Sequence, residues 1–149
     1  MMGWLLFVIL VDVPPERVPW TPLPATEAAR REALTRFGLG RWRAREERPA
    51  SAAKEFEAAA KADPDSPGPL RPLVAVYAEL GRHAAAIRTA RKVLELDPDD
   101  ADTAHKLGQI LYEGRKYADA VTVLKQAASS PRLERAPAIR IGILRDLAR

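Results

Sequence analysis

One interval governs this 149-residue sequence: 34 residues. Leu39-Gly40, Leu73-Val74, Leu107-Gly108 and Ile141-Gly142 follow one another at that spacing. Ala52, Ala86 and Ala120 keep it, as do Phe56, Ala90 and Leu124, and again Ala59, Val93 and Ala127. Asp63-Pro64 and Asp97-Pro98 stand in the same phase. So many independent positions on one period are hard to obtain by chance in a chain this short. A period of this length marks stacked supersecondary units, none of which can bury its apolar face alone.

Each unit reads as two antiparallel amphipathic helices. In the unit from Ala101 to Ala128, the first helix presents Ala104, Leu107, Gly108 and Leu111 at helical spacing. Gly114 ends it, and Tyr117, Ala120, Leu124 and Ala127 form the facing stripe of the second. Small residues at fixed places let the two backbones approach, and larger ones fill the space beside them. The Asp-Pro pairs punctuate the units. Proline disfavours helical geometry at the aspartate before it, and the acids beyond cap the next helix.

These spacings and residue types resemble the tetratricopeptide repeat family. The third unit matches it best, through Leu107, Gly108, Gly114, Tyr117, Ala120, Leu124 and Ala127. The second follows with Leu73, Tyr77, Gly81, Ala86 and Pro98, although Ala90 replaces the usual large aromatic. In the first, Ala52, Phe56, Ala59 and Pro64 fit, but Arg36 and Arg43 occupy places usually apolar, as though helix 26–47 packs differently. The resemblance implies an all-α fold, an α-solenoid of about three helix pairs plus a terminal helix. The units would span about 33–66, 67–100 and 101–134, with a partial fourth at 135–149, inside a repeat domain of 26–149. Ile139, Ile141, Ile143, Leu144 and Leu147 make the last helix unusually apolar. It would either continue a longer array or cover the end of the stack and associate with another copy.

Residues 1–25 precede this domain as an apolar and proline-rich segment. Trp4 to Val11 reads WLLFVILV, too short for a spanning helix, which needs about 20 apolar residues. No Lys or Arg precedes the run and DVPP follows it, unlike an ordinary signal peptide. A signal or short anchor, an extended segment packed on the domain, and a start that is not the natural one all remain open. The prolines of residues 12–25 prescribe an extended linker, with Trp20 as a docking point. The expected location is the cytoplasm, or the envelope or exterior if residues 1–25 act as a signal or anchor, with membrane contact through residues 4–11.

No catalytic constellation emerges. With no cysteine and two histidines, neither a thiolate nucleophile nor a structural zinc site is available. Asp97, Asp99, Asp100 and Asp102 lack the glycine and the terminal acid of a calcium loop, so capping explains them. Gly38 and Gly40 lack the third glycine of a phosphate cradle, since Arg43 stands there. His83 starts a helix, and His105 reads as a residue of an exposed face, with no nucleophile and base arranged around it. The expectation is a non-enzyme without cofactor or metal.

The formal charge is +4, and two stretches carry the excess: residues 27–48 and 132–149 each sum to +3. Eighteen of the 24 basic residues are arginine in an alanine- and proline-rich chain, which GC-rich codon usage would also produce. In the family the resemblance names, first helices line a concave groove. Projected onto this chain, the groove takes Phe37, Arg41 and Arg45, then Arg71 and Glu79. His105, Lys106, Gln109 and Tyr112 follow, and finally Arg140. A basic wall with aromatics suits an acidic peptide, because guanidinium groups bind carboxylates bidentately. Some relatives clamp the C-terminal carboxylate of chaperone tails, but Ala75, Lys106 and Ala136 replace the Asn, Asn and Lys of that clamp. The resemblance therefore implies a non-catalytic scaffold for a peptide or partner helix, without chaperone-tail binding. The alternative is a nucleic-acid-binding helical repeat using the arginine-rich faces, which Glu79, Asp102, Glu113 and Asp146 in the groove disfavour.

Overall fold

A computed structural model describes residues 25–135 and 137–148. The apolar run 4–11 and Trp20, with the expectations attached to them, lie outside the described residues. Seven α-helices follow in order: α1 Ala25–Arg45, α2 Pro49–Ala62, α3 Leu70–Glu79, α4 His83–Leu96, α5 Ala101–Glu113, α6 Tyr117–Ala128 and α7 Pro137–Leu147. A short 3-10 helix, Pro131–Arg135, leads into α7. Among the described residues no helix is long and apolar enough to cross a membrane.

Helices pair as α1 with α2, α3 with α4 and α5 with α6, and each pair stacks on the next. First helices α3, α5 and α7 touch in succession, while α2, α4 and α6 stand further apart. The stack therefore curves with its first helices on the inner side. Burial falls into three successive clusters rather than one centre. Ala52, Phe56, Leu73 and Val76 join the first pair to the second. Val74, Ala90, Leu107 and Leu111 join the second to the third. Ala104, Leu124, Leu133 and Ile143 fasten α7.

The closest helix contact explains why Ala90 can replace a large residue. A β-carbon at Gly40 would come within 2.6 Å of the Phe56 ring, and one at Gly108 within 2.6 Å of Leu124. In the second unit the equivalent pair is inverted: Val74 supplies the bulk and Ala90 the space, both fully buried in one cluster. Combined volume across the contact is thus kept, as close-packed interiors require.

Turns between paired helices repeat as faithfully as the helices. Glu47, Gly81 and Arg115, spaced 34 residues apart, all take left-handed backbone, with φ of 56°, 68° and 58°. Gly114 does end α5 as the sequence predicts, but with φ −77° it is the next residue that turns the chain. Asp63 and Asp97, each before proline, leave their helices in nearly the same extended conformation, φ −133° and −141°. Asp100 caps α5 by accepting from the Thr103 amide at 3.0 Å.

Two arginines that stand where apolar residues are usual have found other partners. Arg36 bonds Glu55 of α2 at 3.1 Å, and Arg43 lies over the Trp42 ring at 4.7 Å. Tyr77 of α3 donates to Glu57 of α2 at 2.7 Å, and burial together with that carboxylate pushes its phenol up to about 12. Two expectations are corrected. Tyr117 is not part of the buried stripe of α6: it is 52% exposed and meets Tyr112 edge-on at 5.2 Å. His105 is not on an exposed face, because α7 covers it.

Candidate functional site

The projected groove residues of the first helices are found in two different states. Arg41, Arg45 and Lys106 are exposed, and none has a carboxylate within ion-pair distance among the described residues. Arg41 rests over the Phe37 ring at 6.0 Å, and Phe37 in turn packs on Phe56 at 5.8 Å between centroids. Phe37 is therefore a half-buried floor rather than a free aromatic. Glu79 is exposed near the end of α3, and Tyr112 is 43% exposed beside Tyr117.

Arg71, His105 and Gln109 are engaged within the fold. Arg71 bonds Asp97 at 2.7 Å and Asp100 at 2.6 Å, and Arg132 bonds the same Asp97 oxygen at 2.7 Å. Asp97 thus clasps α3 and the segment after α6 to the turn that starts α5. The Arg132 bond, with the charges of Arg132 and Arg71, outweighs burial and holds the Asp97 carboxyl below its ordinary 3.8. Arg71 and Lys106 share a cleft of about 430 Å³ with Asp99, Asp102 and Arg132, so its charges are largely balanced.

His105 and Gln109 seat α7. His105 Nε2 lies 2.9 Å from Asp146 Oδ2, and Gln109 donates to the same oxygen at 3.3 Å. Burial works to raise the Asp146 carboxyl, but the bonds from His105 and Gln109 more than offset it and leave it low. A β-carbon at Gly142 would come within 2.7 Å of the His105 ring, so α7 and α5 approach closely at that glycine. Arg140 is exposed on α7, beside the outward-facing Leu144. Among the described residues, no group of three or more His, Asp and Glu is placed to hold a metal ion.

The family resemblance, carried along the 34-residue spacing, projected these ten positions. It missed that Asp97 and Asp100, 26 and 29 residues after Arg71, would capture it. The signal was present as four aspartates in a turn, yet spacing does not say which arginine reaches them.

Helix pairs on a 34-residue period, with α3, α5 and α7 in succession on one side, define an α-solenoid. The tetratricopeptide repeat family model matches residues 78–136, and the described helices share the fold of solved tetratricopeptide-repeat structures. The TPR2AB domain of yeast Sti1 in its pHSP90 complex aligns with a TM-score of 0.74 at 18% identity, covering 83% of this chain and 48% of that one. This chain thus spans about half that structure's length. The second TPR domain of Spaghetti (RPAP3) bound to the HSP90 peptide SRMEEVD gives 0.67 at 13% identity, covering 72% and 99%. The type III secretion translocator chaperone SycD of Yersinia enterocolitica gives 0.69 at 16% identity, covering 77% and 80%. A search of curated proteins finds no match.

Proposed function

We propose that the chain is a non-catalytic scaffold whose first helices hold an acidic peptide segment of a partner protein. The observation that carries this reading is the division among the cations. Arg36, Arg43, Arg71 and Arg132 are satisfied by carboxylates of the fold, whereas Arg41, Arg45 and Lys106, at projected groove positions, are exposed and have no ion pair among the described residues. Exposed cations beside the Phe37 edge and Tyr112 suit carboxylates interspersed with apolar side chains. Two of the related structures hold HSP90 ligands, one of them the peptide SRMEEVD with its three acids. That likeness supports a peptide-sized ligand. Ala75 and Lys106 still depart from the carboxylate clamp, so a terminal carboxylate is not the expected anchor.

The test is fluorescence anisotropy of the full chain with labelled acidic and basic peptides of matched apolar content, and with a single-stranded oligonucleotide. The acidic peptide should bind, weaken with salt and lose about tenfold in affinity, ~1.4 kcal/mol, on Arg41→Glu/Lys106→Glu. Arg71 is left intact because its reversal would break the Asp97 clasp. Binding of the oligonucleotide without the peptide would overturn the reading in favour of nucleic acid, and an indifferent double variant would remove the groove from it.

A further inference from the structure

α7 is apolar on two sides, and only one of them meets the stack. Ile143 is fully buried, and Ile139 and Leu147 pack on the same cluster. On the opposite arc, Ile141 and Leu144 keep 67% and 53% of their surface exposed. At the angular step of a helix, Ile141 and Leu144 form one stripe, with Arg140 on one flank and Arg145 on the other. Arg140 has no ion pair among the described residues, and Arg145 reaches only its chain neighbour Asp146, at 3.6 Å. Nothing among the described residues covers the stripe. Asp146 and Leu147 of the same helix line a cleft of about 370 Å³ against α6, bordered by the exposed Tyr117 and Val121.

We propose that this outer face of α7 docks an amphipathic helix of a partner protein, one whose apolar stripe is flanked by carboxylates. The stripe seats on Ile141 and Leu144, and the carboxylates pair with Arg140 and Arg145 on either side. A helix fits better than an extended segment, because α7 has its backbone groups bonded internally and offers none to an added strand. A second copy fits poorly. In a two-fold pairing of α7 with itself, the two flanking arginines of one copy would face those of the other, and like charges oppose such an interface. This face shares Arg140 with the projected inner groove, at whose edge that arginine stands, but uses no other residue of the groove and does not depend on the groove reading.

The test uses the full chain and two synthetic helical peptides with the same leucine stripe, one flanked by glutamates and the other by lysines, read by fluorescence anisotropy. The glutamate peptide should bind at least about tenfold more tightly than the lysine one and weaken with salt. Arg140→Glu and Ile141→Ser/Leu144→Ser, all at exposed positions, should each reduce that binding severalfold with an unchanged far-UV spectrum. Arg41→Glu/Lys106→Glu should leave it unaltered. Equal binding of the two peptides, or loss only with the inner-groove variant, would overturn the proposal. So would self-association by sedimentation, or binding to phosphatidylserine vesicles, abolished by Ile141→Ser/Leu144→Ser. These would assign the face to a second copy or a lipid surface instead.

Discussion

Left-handed backbone at Glu47, Gly81 and Arg115 sets the same reversal in three successive units, although only one of the three is glycine. An L-residue in that region costs about 1 kcal/mol, which glycine avoids. Arg115→Gly should therefore stabilise the chain by about 0.5–1 kcal/mol, and Gly81→Ala should cost about 1 kcal/mol. The second cost is backbone strain alone, since a β-carbon at Gly81 meets nothing within 4 Å. Urea unfolding of both variants at constant slope checks the pair of signs. Asp97 makes a second residue-level prediction. Its carboxyl lies below 3.8 in the fold, first through the Arg132 bond, so its stabilisation is complete above the unfolded value. It is lost as pH falls through the lower folded value. Asp97→Asn should lower stability at pH 7 and flatten the loss between neutral pH and pH 3, measured by the same unfolding curves.

At the scale of the helix, the exchange of bulk between Val74 and Ala90 is open to a double-mutant cycle. Ala90→Leu alone should overpack and cost about 1–3 kcal/mol. Val74→Gly alone should cost about 2 kcal/mol or more through lost burial and helix propensity. The double variant recreates the Gly–Leu pair found at Gly108 and Leu124, and should recover about 1 kcal/mol or more of the summed loss. Strict additivity would mean that the two residues do not share the contact. Such pairs were legible in the sequence because the period repeats them: Ala52, Ala86 and Ala120 are all buried. α7 was legible as a helix but not in its rotation. Ile141 stands at the position of Leu107, yet it is 67% exposed where Leu107 is 1%. The pattern records which residues are apolar, while the presence of a neighbouring helix decides which of two apolar faces is buried. Arg71 and His105 were misjudged for a related reason. Helical spacing aims a side chain, but carboxylates on other elements, Asp97, Asp100 and Asp146, determine what it meets.

Among the described residues, three clusters arranged in series replace a single core, each joining one helix pair to the next element of the stack. Arg41, Arg45 and Lys106 of the first helices are exposed, whereas Arg71, His105 and Gln109 help to hold the units together. Division of labour between exposed and engaged polar residues, rather than net charge, is the ground on which an acidic peptide is proposed. The most direct measurement is backbone-amide NMR of the full chain during titration with an acidic peptide. Shift changes should concentrate on α1, α3 and α5, around Arg41, Lys106 and Tyr112, and fade as salt is raised. Changes confined to α2, α4 and α6, or equal changes with a basic peptide of matched apolar content, would contradict the account.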